Sequence, residues 1–150
     1  MNRADLQTEI NARAESIIEL LIAQCRDLEL LLKLARREAA ELERGDFAAL
    51  MATVRERATL DERLAVYQQQ IISLRAQLGQ RSPDLESEQA AYLLQLAREI
   101  KEQDGRTRVA LETVRRQTSE RLARLQRATR GSRAYLQDGQ TKPVACDRMV

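Results

Sequence analysis

Apolar residues recur every three or four positions along most of the chain, and this spacing limits the fold more than any other feature. The first long run keeps an unbroken four-three spacing through Ala14, Ile18, Leu21, Cys25, Leu28, Leu32, Ala35, Ala39 and Leu42. Such spacing gathers apolar side chains on one face of an α-helix. A flanking row of Ile10, Ile17, Leu20, Leu31 and Leu34 widens that face. We therefore expect the first helix to pack against two neighbouring helices rather than one.

Few residues in the chain are able to end a helix, since it contains only two prolines and five glycines. Gly45 suits the left-handed residue that closes a helix, and Asp46 suits the cap of the next one. Ser82 and Pro83 suit the cap and first position of a third helix. We predict helices at about 5–44, 47–78 and 83–136.

Polar residues interrupt the apolar rows of the second and third helices. The second row reads Phe47, Leu50, Met51, Val54, Leu60, Leu64, Tyr67, Ile71, Leu74 and Leu78, and it changes phase between Val54 and Leu60. In the third helix, Asp104 and Thr107 stand where apolar residues are expected, with Gly105 between them. We expect a local relaxation of helix packing at both places.

The three predicted helices differ in length. At 1.5 Å per residue the third is about 80 Å long, and its partners reach only about 50–60 Å. We therefore predict an all-α, elongated, coiled-coil-like antiparallel bundle of three long helices, forming one domain over 1–136. The third helix either overhangs the others or breaks near Gly105 or Gly131, and residues 137–150 form a disordered tail.

Several classes of function lack their usual residues. There is no histidine, no glycine-rich phosphate loop and no Cys/His cluster, and we expect the carboxylates to lie on solvated helix faces. We expect no enzymatic activity, cofactor or metal. Cys25 and Cys146 do not suggest a disulfide, the N-terminal residues do not resemble a signal peptide, and no apolar run is long enough to span a bilayer. These features predict a cytoplasmic protein without membrane insertion.

The end of the third helix is strongly basic. Between Arg115 and Arg133 there are seven arginines and one acidic residue, Glu120, whereas 5–46 carries a net charge of −4. Such a row of arginines is able to bind nucleic acid, but no aromatic residues alternate with it to stack on bases. We favour a solvated arginine-rich surface and expect no nucleic-acid partner.

The same segment carries an apolar row, here called the C-terminal stripe, made of Leu111, Val114, Leu122, Leu125 and Ala128. If the third helix outruns its partners, part of this row has no intramolecular cover, and an uncovered apolar helix face is typical of an interaction site. Alternatively, the first helix or a second copy of the chain covers it. Tyr135 near its end is either an interface anchor or the last core residue of the helix.

Several short stretches resemble the FlgN-type flagellar export chaperones. Residues 42–50 (LERGDFAAL) resemble the family's turn between its first two helices, and Arg57, Leu60 and Leu64 continue the pattern. Further resemblances are Arg75, Leu78 and Gly79 at the end of the second helix, the segment 96–114, and Tyr135 followed by Gly139. The asparagines that the family often carries in its third helix are absent, since Gln103, Asp104 and Thr107 stand there. The FliT-type chaperones share this leucine-rich helical style and remain a near alternative.

This resemblance implies a cytosolic chaperone for hook–filament junction proteins. It would hold the disordered terminal region of its cargo, prevent premature assembly, and deliver the cargo to the flagellar type III export apparatus. It also implies that the C-terminal helix binds the cargo and that Tyr135 contacts the export gate. We therefore predict partner binding at Leu111, Val114, Leu122, Leu125 and Tyr135. A homo-oligomeric coiled-coil scaffold without a client is the alternative function, and a homodimer is compatible with both.

Overall fold

The computed structural model of the protein describes residues 2–79 and 87–141, and three long α-helices account for nearly all of them. Helix α1 is Arg3–Arg44, α2 is Phe47–Leu78 and α3 is Ser87–Thr141. The all-α prediction of three long helices is confirmed, and α2 has the predicted bounds. Helix α3 continues past the predicted end at 136. The predicted start signal at Ser82 and Pro83, and the tail from 142 onward, lie outside the described residues.

The turn between α1 and α2 forms as its residues predict. Gly45 is left-handed, with a φ of 68°. Its N–H donates to the carbonyl of Leu42, and the N–H of Asp46 donates to that of Glu41, both at 3.0 Å. The Asp46 carboxylate then accepts the N–H of Ala49 at 3.1 Å. This closing motif and cap satisfy the free backbone groups of both helix ends, so the chain reverses within two residues.

The chain divides into two compact units, Met1–Arg108 and Val109–Val150. In the first unit α2 runs antiparallel to α1. Glu41 near the end of α1 contacts Thr53 near the start of α2, and Gln24 earlier in α1 contacts Gln68 later in α2. Helix α3 runs parallel to α1, since residue numbers increase along both helices from the pair Glu29 and Tyr92 to the pair Arg36 and Glu99. Two clusters form the core between the three helices. They contain Leu31, Leu32, Leu34, Leu60, Leu96 and Ile100 in one, and Ile17, Leu21, Ile71 and Leu78 in the other.

In α1 and α2 the row of residues that faces inward differs from the row that apolar spacing predicts. In α1 the inward positions are Ile10, Ala14, Ile17, Leu21, Gln24, Leu28, Leu31, Ala35, Glu38 and Leu42. In α2 they are Leu50, Thr53, Arg57, Leu60, Leu64, Tyr67, Ile71, Leu74 and Leu78. Both rows keep an uninterrupted three-four spacing once polar members are admitted. The predicted change of phase in α2 is therefore wrong, because Thr53 and Arg57 occupy inward positions.

Three residues predicted in the apolar row of α2 are exposed: Phe47, Met51 and Val54. Thr53 lies fully buried instead, donates its hydroxyl proton to the Glu41 carboxylate at 2.8 Å, and accepts the Arg37 Nε–H at 2.9 Å. Residues one position apart on a helix point about 100° away from each other. Burying Thr53 therefore turns Val54 outward.

A polar layer joins all three helices inside the first unit. The Arg57 guanidinium donates two hydrogen bonds to the Asp104 carboxylate, at 2.7 and 2.6 Å, and a third to Glu38 at 3.1 Å. The Arg57 side chain is 18% exposed and that of Glu38 is 8% exposed. The hydrogen bonds to Asp104, helped by both negative charges, raise the pKa of Arg57 further above its ordinary value. The interruptions in α2 and α3 are therefore partners of each other.

The expectation that carboxylates lie on solvated faces is wrong for three residues of α1. Asp27, Glu38 and Glu41 are all buried. Asp27 accepts a hydrogen bond of 2.7 Å from Arg63, and the other two carboxylates bind Arg57 and Thr53. A buried carboxylate requires such partners because it loses its hydration.

Glu38 has only part of its hydrogen-bonding capacity satisfied. Its Oε2 accepts from Arg57, but its Oε1 is buried without a hydrogen-bond partner. Burial raises the pKa of Glu38 above the ordinary value of 4.5, although the charge of Arg57 opposes this shift. The negative charges of Asp104 and Glu41 raise it further.

Replacing Glu38 with glutamine is expected to alter the pH dependence of stability. Because the folded-state pKa is raised, the folded protein binds this proton more tightly than the unfolded chain. The resulting stabilisation is complete below the unfolded pKa and is lost as pH rises through the folded pKa. The free energy of unfolding of Glu38→Gln, relative to the parent, should therefore increase as pH rises from about 4.5. Urea unfolding over a pH series measures this, with exposed Glu43→Gln as control. Parallel profiles for parent and Glu38→Gln would contradict it.

Helix α3 is continuous through both of its central glycines. It runs from Ser87 to Thr141 without a break at Gly105 or Gly131, so of the two predicted possibilities for this helix a break there is wrong. A glycine costs about 1 kcal/mol relative to alanine in a helix interior, which is less than the surrounding turns contribute together. Near Gly105, the hydrogen bonds from Arg57 to Asp104 also hold the helix in place.

Candidate partner-binding site

The five residues predicted to bind a partner all lie on α3 in the second unit. Leu111 is 43% exposed, Leu122 54% and Leu125 64%, and Val114 is half-buried. Every residue of this unit from 115 to 139 is exposed. Within this unit, Leu122 and Leu125 are therefore open to solvent.

Eleven-residue steps align the stripe. Leu111 and Leu122 are eleven residues apart, and so are Val114, Leu125 and Leu136 in succession. Eleven residues complete about three helical turns, so the side chains in each set lie nearly above one another. Leu136, which is 65% exposed, continues the stripe by one more step. Three- and four-residue steps do not connect Leu136 to the other stripe leucines, so its place in the stripe is visible only at the eleven-residue repeat.

The stripe is narrow. Thr118 and Thr129 stand between its leucines, and each is exposed. The Thr129 hydroxyl donates a hydrogen bond to the carbonyl of Leu125 at 2.9 Å, so its proton has an acceptor within the helix. A face two apolar side chains wide is typical of a helix that packs against one other helix.

Tyr135 is 81% exposed, so it is not a core residue of the described chain. It directly precedes Leu136 and stands beside the stripe rather than on it, since neighbouring residues point about 100° apart. An exposed aromatic ring offers a large rigid surface and a hydroxyl group to a partner. The interpretation of Tyr135 as an anchor remains a prediction.

The first unit has an open cavity of about 590 Å³ between its three helices. Leucine, isoleucine and alanine side chains form most of its lining, with the amides of Gln24 and Gln68, and Arg75 is its one titratable group. Such a lining favours the burial of apolar groups and supplies no acid–base pair. Nothing in the described chain indicates an occupant for it.

Two properties of the described residues bear on the class of site. No group of three or more cysteine, aspartate or glutamate side chains in 2–79 and 87–141 is arranged to hold a metal ion. None of α1, α2 and α3 combines the length and apolar character that crossing a membrane requires.

Comparison of the chain with family models, with curated proteins and with solved structures finds no match. The resemblance to the FlgN-type chaperones therefore depends on the residues quoted above alone.

Proposed function

We propose that this chain is a cytosolic flagellar type III export chaperone. It binds the disordered terminal region of hook–filament junction proteins, prevents their premature assembly, and delivers them to the export apparatus. The observation that carries the proposal is the stripe on α3, which presents Leu111, Leu122, Leu125 and Leu136 to solvent over about seven turns of helix. The resemblance in residues 42–50 and in the Tyr135 region supports the choice of family.

The stripe suits a client that gains structure on binding. A disordered segment has no preformed shape, but an apolar face on an unbroken helix lets it fold as a second helix alongside. Burying the exposed part of each stripe side chain contributes about 1–2 kcal/mol. Ordering the client offsets several kcal/mol of this gain, so we expect affinities near the micromolar range. Such affinity allows release at the export apparatus.

Delivery requires a second contact that the cargo leaves open. Tyr135 stands beside the stripe and is almost fully exposed. In the proposed mechanism cargo covers the leucines while the Tyr135 ring remains available to the export gate. This assignment follows the family resemblance at Tyr135 and Gly139.

Hydrogen exchange along α3 tests the proposal. Amide exchange in 109–141 is measured with and without a C-terminal fragment of a hook–filament junction protein. Because every residue from 115 to 139 is exposed, we expect fast exchange in the free protein and marked slowing with the fragment. A fragment of the same length from the folded middle of the junction protein is the control. Unchanged exchange with the C-terminal fragment would count against the chaperone function.

The eleven-residue alignment of the stripe also favours a second candidate function, a homo-oligomeric coiled-coil scaffold without an export client. A regular stripe on an unbroken helix is able to pack against its own copy. This candidate predicts a dimer or larger species that persists at micromolar dilution, with slow exchange in 115–139. Sedimentation velocity over a dilution series tests this candidate, because a chain that stays monomeric throughout would exclude it.

A further inference from the structure

We infer that the segment that binds the stripe is an acidic amphipathic helix, whose carboxylates pair with arginines on both sides of the stripe. This inference rests on the proposed function, in that it takes the stripe as the binding surface, and it adds the chemistry of the partner. It depends on where the arginines of the second unit stand relative to the leucines.

In the second unit, three arginines stand next to the leucines of the stripe. Arg115 follows Leu111 by four residues, Arg121 precedes Leu125 by four, and Arg133 precedes Leu136 by three. Residues three or four apart are neighbours on a helix surface. All three arginines are exposed. They therefore hold the positions that flank the apolar seam in a helix pair, where charges select the partner.

Carboxylates of the same helix do little to neutralise these flanks. Arg121 and Arg133 have no acidic residue three or four positions away in either direction. Over 115–133 the seven arginines face one glutamate, a net charge of +6. A partner with acidic flanks gains attraction along the whole contact, whereas a basic one is repelled.

The same charges disfavour a second copy of the stripe as the occupant. Two copies packed stripe to stripe would bring together two segments of net charge +6, and like charges at flanking positions oppose association. The repulsion is strongest at low salt. Low salt therefore strengthens the attraction of an acidic partner and weakens self-association at the same time.

Two other acidic classes of partner fit the stripe less well. Helices that lie on anionic membranes present a broad apolar face with tryptophan or phenylalanine, but this stripe is narrow and interrupted by Thr118 and Thr129. Binding of single-stranded nucleic acid uses repeated aromatic side chains, and Tyr135 is the one aromatic residue in 109–141. The geometry favours a protein helix.

Designed peptides test the inference with the full chain. Three helical peptides of about seven turns carry the same leucines at eleven-residue steps and differ only in flanking residues, which are glutamate, glutamine or lysine. By fluorescence anisotropy we expect the glutamate peptide to bind about tenfold more tightly than the glutamine peptide at low salt, because about three exposed ion pairs contribute. The difference should disappear at high salt.

A charge exchange makes the test specific. The double variant Arg121→Glu, Arg133→Glu should lose the preference for the glutamate peptide and bind the lysine peptide best. Arg116→Glu with Arg127→Glu makes the same change of net charge on the side of the helix away from the stripe, so it should keep the parental preference.

The outcomes separate the two proposals. If the glutamine and glutamate peptides bind equally at low salt, the acidic-partner inference is wrong and the stripe remains a binding surface. If none of the peptides binds, the assignment of the stripe as the client-binding site is wrong. Binding to phosphatidylserine vesicles without any peptide preference would also overturn the inference, in favour of a membrane surface.

Discussion

Replacing Arg57 with alanine is expected to lower the free energy of unfolding by about 3 kcal/mol. The change removes the donor to Asp104 on α3 and Glu38 on α1, and it leaves the buried Glu38 carboxylate without its partner. The cost lies at the low end of that for a broken buried ion pair, because the Asp104 side chain is 34% exposed and water reaches it. Urea unfolding followed by circular dichroism measures the change.

Arg55→Ala provides the matched control for this prediction. Arg55 is exposed and lies two residues away on the same helix, so its loss removes the same charge without a buried partner. We expect its effect to stay within about 0.5 kcal/mol. Equal effects of the two variants would show that the polar layer does not stabilise the first unit. Replacing Glu38, Arg57 and Asp104 together with leucines should recover much of the loss, because an apolar layer leaves no buried charge.

Replacing Leu122 and Leu125 together with aspartate is expected to weaken cargo binding at least about a hundredfold. The double variant removes two of the exposed stripe leucines and places carboxylates where the cargo would bury its own apolar side chains. Neither leucine is buried in the free protein, so helix content and the stability of the first unit should change little. Titration calorimetry with the junction-protein fragment measures the affinity, and circular dichroism measures the helix content.

The pair Ala123→Asp, Ala134→Asp is the control for this surface. Both alanines are exposed, lie eleven residues apart, and face away from the stripe. The control adds the same two charges to the same helix, so it should preserve cargo binding within a few fold. If cargo binds the Leu122→Asp, Leu125→Asp variant as tightly as the control, the site lies elsewhere. If both pairs abolish binding, loss of positive charge rather than loss of the stripe is responsible.

The candidate site was accessible to sequence reasoning in part. Leu111, Leu122 and Leu125 could be named from their spacing, because a helical repeat is visible in any window of the chain. Leu136 was missed because its partners lie eleven residues away. The charge pattern alone favours a solvated arginine-rich surface, whereas the continuity of α3 from Ser87 to Thr141 fixes where each arginine stands relative to the leucines.

The sequence did not predict which polar residues are buried. Apolar spacing predicts interruptions at Arg57, Asp104 and Thr107. It also predicts that Phe47 and Met51 belong to an apolar row. The structure buries Thr107, half-buries Arg57 and Asp104, and exposes Phe47 and Met51. A single row cannot show that an arginine on α2 meets an aspartate on α3, because the two are 47 residues apart.

The sequence by itself determined where the first two helices meet and how the chain turns between them. Gly45 supplies the left-handed conformation and Asp46 the cap, and both act through backbone groups within five residues, so local chemistry is sufficient. Only the tertiary structure decided which of two adjacent rows on α1 and on α2 faces inward. That choice depends on whether Glu38, Thr53 and Arg57 find partners on other helices, because burying an unpaired polar group costs more than exposing a neighbouring methionine or phenylalanine.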